Sequence, residues 1–439
     1  MPKATKPFKP LGELAEIRVS NVDKKVTPGQ RPVRLCNYMD VYTVPYLDGY
    51  RNYMLATANQ GEVIRFGLKH GDVVITKDSE TPDDIGVAAV IDDIEGDVLL
   101  VCGYHLAILR SSTVNPVFLA KQLGHGRIRA YFGRMATGST RYGLPKGAIY
   151  DVPLFVPTRP EQDRIAVILR ALDDAIRSAE KVIAKLENLK RGLRHDLLTR
   201  GIDDNGEIRD PLRHPEQFKD SPLGRIPRTW RALGIEQFAL LGRSVIKTGP
   251  FGSTLKGEHW VSKGVPVITI GALGEGEFIR SELLHVSPRK AKSLASYVVR
   301  RGDVVFSRVA DVGRSVVVSE LEDGWIMSSN LMWISLDPNR AAPALLWLNL
   351  TANAAVRSQI RQSVNAGGRE VANGAVLRGL RFPWPHLDEQ TEIVRRDEQV
   401  RERLARETAT LAKFRLIKKG LSDDLLTGRV PVTAREGKA

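Results

Sequence analysis

The sequence predicts an α+β protein in which two similar globular domains are separated by two long antiparallel coiled-coil helices. The whole forms an internal repeat with pseudo-two-fold character. The first observation is that GLRHDLLTRGI at residues 192–202 returns as GLSDDLLTGRV at residues 420–430, 228 residues later. The second is that each copy closes a long proline-free stretch that follows a block of short β-type runs. A chain of 439 residues also exceeds the usual size of one core.

The repeat extends well upstream of these phrases. EQDRIAVI at residues 161–168 parallels EQTEIVRR at 389–396, and HGDVVITKD at 70–78 resembles RGDVVFSRV at 301–309. The offset between the copies varies by no more than three residues. This pattern indicates a duplicated unit of block followed by helix.

Each helical stretch carries apolar residues at alternating steps of three and four, the heptad seam of a coiled coil. The second seam is weaker, because Asp397 and Glu407 fall within it. Two matched seams favour pairing of the helices with each other, and packing of each helix on its own domain is the alternative. The predicted pairing residues are Leu169, Leu172, Ile176, Ile183, Leu186, Leu193 and Leu197 in the first helix, and Val400, Leu404, Leu411, Phe414, Leu421 and Leu425 in the second.

The blocks contain short strands followed by helices, which is typical of α+β domains. Residues 203–227 are rich in Asp, Pro and charge, and are predicted to form a linker. The resulting division is residues 1–158 for the first domain, 159–202 for the first helical spacer, 203–227 for the linker, 228–386 for the second domain, 387–430 for the second spacer and 431–439 for a tail.

The charge of the chain indicates a polyanionic partner, most often a nucleic acid. The formal net charge is +14 and the pI is near 9.7. Residues 161–200 carry nine basic and seven acidic side chains, and residues 389–428 carry nine and eight. Most of the positive charge therefore lies outside the helices.

The sequence indicates neither a disulfide framework, nor a metal site, nor a secreted or membrane-spanning protein. Cys36 and Cys102 form no CxxC pair, so two buried thiols are expected, without a disulfide framework or a metal site. Neither a signal peptide nor an apolar stretch of membrane-spanning length is found. We therefore expect a cytoplasmic protein.

The sequence offers no catalytic motif. It has no GxxxxGK[ST] nucleotide-binding loop. NPVF at residues 115–118 lacks the second proline of an adenine-methylase turn and is predicted to begin a helix. The acidic stretch at residues 82–84 is not followed by the [DE]xK of a nuclease. We expect no catalytic residues and no cofactor bound by this chain.

Taken in order, the motifs resemble the DNA-specificity (S) subunit of type I restriction-modification systems. The resemblance covers essentially the whole chain. It rests on the repeated GLRHDLLTRG/GLSDDLLTGR phrase and on TKDSETPD (76–83), GSTRYGLPKGAIYDVPLFVPTRPEQDRIAVIL (138–169), FKDSPLGRIP (218–227) and TGPFGSTLKGEHW (248–260).

The resemblance implies two target-recognition domains, each reading one half of a bipartite, asymmetric site in double-stranded DNA. It implies that the helices set the spacer and dock two modification subunits, which supply adenine methylation dependent on S-adenosylmethionine. Restriction subunits that use ATP and Mg can join such a complex. Antiparallel helices would place the readers at opposite ends of a rod of about 58 Å. That length spans at most about 17 base pairs.

The candidate DNA contacts are polar residues in loops that also carry basic side chains, because such groups bind phosphates and base edges. An ordinary solvated surface is the alternative for each of them. The candidates are Lys77, Ser79, Thr140, Arg141, Tyr142 and Lys146 in the first domain, and Lys247, Ser253, Lys256, Arg308, Arg314, Asn365 and Arg369 in the second.

Three other functions stay open at this point. A self-contained DNA methyltransferase or restriction enzyme with divergent motifs would bind S-adenosylmethionine as an isolated chain. A non-enzymatic coiled-coil scaffold would bind DNA weakly and without sequence preference. A basic RNA-binding protein would be expected to carry an RNA-module signature, and none is recognised.

Overall fold

The computed structural model describes residues 8–94, 99–250, 254–309, 311–365 and 371–432. The chain forms two compact units. The first comprises the described residues up to Lys181 together with those from Thr408 onward, and the second runs from Val182 to Glu407. Each of the two long helices therefore contributes to both units.

Its described residues give the first unit twelve short strands, five short helices and part of each long helix. The strands are β1 (Phe8–Pro10), β2 (Glu16–Val19), β3 (Arg31–Cys36), β4 (Tyr46–Asp48), β5 (Met54–Ala58), β6 (Val73–Thr76), β7 (Asp78–Ser79), β8 (Ala88–Asp93), β9 (Leu100–Cys102), β10 (Leu106–Arg110), β11 (Tyr142–Gly143) and β12 (Pro153–Phe155). The helices are α1 (Tyr38–Thr43), α2 (Gln60–Phe66), α3 (Pro116–Gly124), α4 (Gly126–Met135), α5 (Lys146–Tyr150) and α6 (Arg159–Thr199).

The second unit is built from similar elements, and its last helix returns to the first unit. The strands are β13 (Phe218–Ser221), β14 (Gly224–Pro227), β15 (Arg231–Leu233), β16 (Ile246–Thr248), β17 (Trp260–Ile268), β18 (Leu284–Val286), β19 (Val304–Ser307), β20 (Ser315–Val317), β21 (Ile326–Met327), β22 (Leu331–Ile334) and β23 (Phe382–Trp384). The helices are α7 (Pro288–Ser293), α8 (Pro343–Ala352), α9 (Ala354–Asn365), α10 (Gly374–Gly379) and α11 (Leu387–Leu425).

The sheets of the two units share their strand order, apart from the additional edge strand β4 in the first unit. The order β2-β10-β6-β8-β4 in the first unit corresponds to β16-β22-β19-β20 in the second, and β5-β3-β9 corresponds to β18-β17-β21. The central strand of each three-stranded sheet pairs antiparallel on one side and parallel on the other. The duplicated sequence thus folds twice into one architecture, and the predicted α+β class with two similar domains and two long helices is confirmed.

A Gly-Asp pair that occurs in both copies forms the turn before two equivalent strands, β6 and β19. Gly71 and Gly302 have φ values of +83° and +86°, a backbone region that glycine adopts without steric cost. The carboxylate of Asp72 accepts a hydrogen bond from the Lys69 backbone N–H at 2.8 Å, and Asp303 accepts one from that of Arg300 at 2.8 Å. The same closed turn therefore precedes β6 and β19.

One of the β-type runs in the first block, PVRLCNYMDVY, is partly helical. Residues 38–43, within the run PVRLCNYMDVY, form α1 rather than continuing β3. Asn37 and Asp40 build a capping box there, in which the Asn37 backbone N–H donates to the Asp40 carboxylate at 2.9 Å. Such a cap satisfies backbone donors at a helix start and stops the strand.

A repeated glutamine anchors the start of each long helix. The Gln162 side chain accepts from the Asn115 backbone N–H at 2.9 Å and donates to the Pro157 carbonyl at 2.9 Å. Gln390 accepts from the backbone N–H of Ala342 at 2.8 Å and donates to the Pro385 carbonyl at 3.0 Å. The EQ dipeptide of the repeat therefore ties α6 to the start of α3, and α11 to the start of α8.

The helices pair antiparallel within each unit. In the first unit the Lys418 ammonium lies 2.7 Å from Asp173, and the Arg415 guanidinium lies 2.7 Å from Glu180. Residues further along α6 are thus paired with residues earlier on α11, so the two helices run in opposite directions. In the second unit, Arg194 donates to Asp397 at 2.6 Å and the Ile202 backbone N–H donates to Glu389 at 2.9 Å, in the same sense.

Asp397 was expected to interrupt the second seam, but its charge is paired within the chain. Its side chain is 2% exposed and also accepts from Arg401 at 2.9 Å. All the predicted pairing residues of both seams are buried or half-buried. Whether any of them also contacts a partner subunit stays a prediction.

The leucine pair of the repeated phrase ends each helix in a hydrophobic core. Leu425 and Leu426 pack in the first unit's core, which includes Ile165, and Leu197 and Leu198 pack in the second unit's core, which includes Ile393. Each helix therefore ends in the core that holds the beginning of the other. This reciprocal packing explains why the chain contains the same phrase twice.

The segment predicted as a linker is ordered. Residues 203–227 contain the β13–β14 hairpin, and Arg209 within them lies 2.6 Å from the Glu389 carboxylate. The domain boundaries drawn from the sequence stay a prediction, because the compact units divide both long helices between them.

Candidate nucleic-acid interface

The first unit brings two of its candidate loops together. Strand β7 pairs antiparallel with β11, so that Ser79 lies opposite Tyr142. The Leu144 backbone N–H donates to the Lys77 carbonyl at 2.8 Å. Thr140 and Arg141 lie directly before β11, and Lys146 begins α5 just after it. The six candidate residues of this unit therefore belong to one pair of adjoining loops.

Their exposure differs from residue to residue. Thr140, Arg141 and Lys146 are exposed, whereas Tyr142 and Lys77 are half-buried and Ser79 is only 8% exposed. The Lys77 ammonium lies 2.8 Å from Asp78. Base or phosphate contacts by these residues stay a prediction, and the exposed members are the ones a ligand can reach directly.

Gly138 shapes the loop that carries Thr140 and Arg141. Its φ of +136° lies in a region that side chains rarely adopt. A Cβ added there would lie 1.9 Å from the Arg141 carbonyl oxygen. The loop is closed at its base by reciprocal backbone hydrogen bonds between Thr137 and Gly143, at 3.0 and 2.9 Å.

We expect Gly138→Ala to displace this loop while the core of the unit stays folded, because the clash is confined to exposed backbone. DNA affinity should fall by about tenfold or more, since a strained backbone of this kind costs of the order of 1–3 kcal/mol. Gly124→Ala is the matched control, because a Cβ at Gly124 meets no atom within 4 Å. Equal DNA binding by both variants in an electrophoretic mobility assay would contradict a recognition role for the loop.

The second unit repeats the backbone pairing found beside these loops. The Ala372 backbone N–H donates to the Arg308 carbonyl at 2.8 Å, and Val309 forms a bridge with Val371. Arg308 thus occupies the place that Lys77 occupies in the first unit. Arg314 lies in the same loop, with its guanidinium 3.5 Å from Asp311.

The segment that follows β16 lies next to the loop that carries Arg308. The Gly249 backbone N–H donates to the Leu331 carbonyl at 3.0 Å, and the Arg308 backbone N–H donates to the Asn330 carbonyl at 3.1 Å. The segments after β16 and after β19 therefore flank the start of β22. Lys247 lies on β16 near the Tyr297 ring, and Lys256 is exposed further along the same segment. Ser253, Arg369 and the side chain of Asn365 lie outside the described residues.

Sequence reasoning missed a group of cationic side chains where α6 and α11 meet α9 in the second unit. Lys190, Arg194, Arg357, Arg361 and Arg401 line one cavity with the candidate Arg314. The available sequence signal was the spacing of Arg357 and Arg361, because residues four apart lie on one face of a helix. Nothing in the sequence indicated that this face meets the long helices.

Other features of the described chain bear on the excluded chemistries. Cys36 and Cys102 are buried free thiols on the adjacent strands β3 and β9, and burial raises the pKa of both. Asn115 caps α3, accepting from the Phe118 backbone N–H at 3.0 Å, so NPVF begins a helix as predicted. The described residues include no group of three His, Cys, Asp or Glu side chains that could hold a metal ion. Across the described ranges, every helix is too short or too polar to cross a membrane.

The fold is that of a known class of protein. A crystal structure of the type I restriction-modification S subunit from M. genitalium superimposes with a TM-score of 0.58, at 12% sequence identity, covering 97% of this chain and 98% of that one. The two α+β domains and two long helices described above are thus the architecture of an S subunit.

Sequence relatives point to the same family. The chain is 20% identical over 297 residues to the type I restriction enzyme MjaVIII specificity subunit of Methanocaldococcus jannaschii, covering 66% of this chain and 65% of that relative. It is 24% identical over 387 residues to the putative type I restriction enzyme MjaX specificity subunit of the same organism, covering 85% and 81%. The match to the first relative thus spans just under two thirds of its length. No protein-family model matches the chain. The resemblance inferred from the motifs is confirmed.

Proposed function

We propose that this chain is the DNA-specificity subunit of a type I restriction-modification complex, and that each domain reads one half of a bipartite, asymmetric DNA site. The observation that carries the proposal is the duplicated loop pair. Lys77 in one unit and Arg308 in the other occupy the same backbone position, and the carbonyl of each accepts a hydrogen bond from a second segment of its unit. Two copies of one reader suit two half-sites, and the net charge of +14 suits a polyanion.

The chain itself performs no covalent step in this proposal. Its loops supply phosphate contacts for affinity and base-edge contacts for specificity. Two modification subunits bind S-adenosylmethionine and methylate adenine, and restriction subunits bring ATP and Mg when they join. The contribution of this chain is to select the sequence on which those partners act.

The long helices are proposed to dock the modification subunits. Leu189 on α6 and Ile417 on α11 are 55% and 37% exposed, and the 228-residue offset places them at equivalent positions in the repeat. Exposed apolar side chains at equivalent places suit two copies of one partner, because repeated surfaces bind repeated subunits. The length of the paired helices sets the number of unread base pairs between the half-sites.

Selection from a random duplex library tests this function. We expect the full chain, assembled with modification subunits, to enrich two short defined motifs separated by a spacer of constant length and free sequence. Sequencing of the bound fraction after several rounds provides the measurement. A single continuous motif, or no enrichment at all, would argue against a two-reader specificity subunit.

Two variants distinguish the readers within the same selection. Arg141→Ala alters an exposed cation of the first unit, and Lys256→Ala alters one of the second. Each should relax or weaken one half-site and leave the other unchanged, because the units carry separate loop pairs. Loss of both half-sites in either variant would show that the halves are not read independently.

A further inference from the structure

A cavity of about 450 Å³ lies in the second unit, and its wall is strongly cationic. It opens to solvent, and Arg357 and Arg361 are exposed. Its lining comes from α6, α8, α9, α11 and the loop before β20, together with residues 274–276. Two acidic side chains, Glu275 and Asp311, face six basic ones, so the wall carries a formal charge of +4. The basic residues are Lys190, Arg194, Arg314, Arg357, Arg361 and Arg401.

Only part of this charge is paired. Arg194 and Arg401 donate to the Asp397 carboxylate, at 2.6 and 2.9 Å. Lys190, Arg357 and Arg361 have no carboxylate oxygen within 4.0 Å among the residues that the structure describes. Counting Asp397 still leaves a charge of +3 around the cavity. Uncompensated like charges in one cavity repel one another and attract an anion.

Several cationic residues of the cavity wall are held in place by neighbouring groups. Arg314 Nε lies 3.5 Å from the Asp311 carboxylate. Trp347 donates through its indole N–H to the Ser315 carbonyl at 2.9 Å. The guanidinium groups of Arg194 and Arg401 lie 5.3 and 5.0 Å from the Trp347 ring centroid. The Trp347 ring therefore holds two of the cationic groups at the cavity wall.

The first copy of the repeat differs at this point. By the 228-residue offset, Arg401 corresponds to Asp173, and Lys190 corresponds to Lys418. In the first unit the Lys418 ammonium is neutralised by Asp173, at 2.7 Å. In the second unit Arg401 replaces that carboxylate, so Lys190 lacks the neutralising partner that Lys418 has.

We propose that this cavity binds a ligand that carries closely spaced phosphates. Arginine guanidinium groups present several N–H donors in a fixed plane and bind phosphate oxygens in pairs. Several guanidinium groups around one cavity match a ligand with two or more neighbouring phosphates better than a ligand with a single carboxylate. The phosphates belong either to a free polyphosphate or to a nucleic-acid backbone, and the second source would extend the proposed function.

The test is a calorimetric titration of the full chain with pyrophosphate at fixed ionic strength. Lys190→Ala/Arg361→Ala removes two cations that have no ion pair to break. Arg289→Ala/Lys292→Ala makes the same change of charge at exposed residues of α7, outside the cavity. We expect wild type and control to bind at one saturable site, and the cavity variant to bind at least about tenfold more weakly, a loss of about 1.4 kcal/mol.

Thermal unfolding without ligand separates binding from folding. The cavity variant should unfold at the same temperature as wild type or higher, because two repelling charges have been removed. Pyrophosphate should raise the unfolding temperature of wild type and control only. If Lys190→Ala/Arg361→Ala is poorly folded, the same titration is carried out with the single variant Arg357→Gln. Equal pyrophosphate affinity of cavity variant and control, or no saturable binding by wild type, would overturn the proposal.

Binding of a duplex without the target motif identifies the source of the phosphates. If the DNA backbone supplies them, the cavity variant loses affinity, its dependence on salt weakens, and pyrophosphate competes with the duplex. If duplex binding is unchanged, a free polyphosphate is the ligand. Failure of the library selection would count against the specificity function and leave the pyrophosphate titration unaffected.

Discussion

Insertion of seven residues into both α6 and α11 is expected to lengthen the unread spacer of the DNA site by about three base pairs. A heptad adds about 10 Å of helix and preserves the seam. Each base pair of duplex rises about 3.4 Å. The sites of insertion are after Lys181 and after Glu407, where the two compact units divide, so every contact inside each unit is retained. The half-site motifs themselves should stay the same, because the loops are untouched.

The control for this experiment is the same heptad placed in α6 alone. The antiparallel pairs would then be out of register, because Asp173 with Lys418 and Arg194 with Asp397 lie on either side of the insertion. We expect that variant to lose specific binding or stability. Library selection gives the spacer of each variant. An unchanged spacer in the double insertion would show that helix length does not set the separation of the half-sites.

The long helices and the duplication could be predicted because their signals are local and repeated. A proline-free heptad pattern specifies a helix wherever it lies, and α6 and α11 begin and end within a few residues of the expected positions. Strands such as β6 and β19 were also visible as short β-branched runs. These features depend on spacing along the chain, which the sequence displays directly.

The partners of the charged residues could not be predicted in the same way. Asp397 was expected to break a seam, yet Arg194 pairs with it across 203 positions of sequence. That pairing depends on the register of two helices, which hydrophobic spacing constrains only to within a turn. Ser79 illustrates the same limit, because a short pairing with Tyr142 buries a residue that looked like part of a polar loop. Local composition shows polarity, whereas tertiary packing decides exposure.

Asp173→Asn is expected to destabilise the first unit by about 3 kcal/mol. Breaking a buried ion pair leaves an uncompensated charge, which costs several kilocalories per mole. The side chain of Asp173 is 4% exposed, and it accepts from the ammonium groups of Lys121 and Lys418 and from the Tyr46 hydroxyl. Burial alone would raise the pKa of Asp173, but the two lysines hold it below its ordinary value. Asparagine keeps the shape, removes the charge and replaces one of the two acceptor oxygens by an N–H donor.

Asp174→Asn is the matched control for this substitution. Its side chain is 54% exposed, and its ion pair is with Arg177, one turn away on the same helix. Such surface pairs contribute little, so its effect should stay within about 0.5 kcal/mol. The six tryptophans of the chain all lie between residues 230 and 384, inside the second unit. Denaturation followed by circular dichroism therefore reports on both units, and tryptophan fluorescence reports on the second.

The double variant Asp173→Asn/Lys121→Met separates the lost ion pair from a general disturbance of packing. It should recover part of the stability, because a buried cation is removed together with its partner. The sign of the pH dependence gives an independent check. A carboxylate whose folded pKa is depressed stabilises at neutral pH, and this contribution is lost as the pH falls through the folded pKa. The gap between wild type and Asp173→Asn should therefore narrow in acid. A gap that is independent of pH, or equal stability of Asp173→Asn and Asp174→Asn, would show that the charge of Asp173 does not hold α6 and α11 together in the first unit.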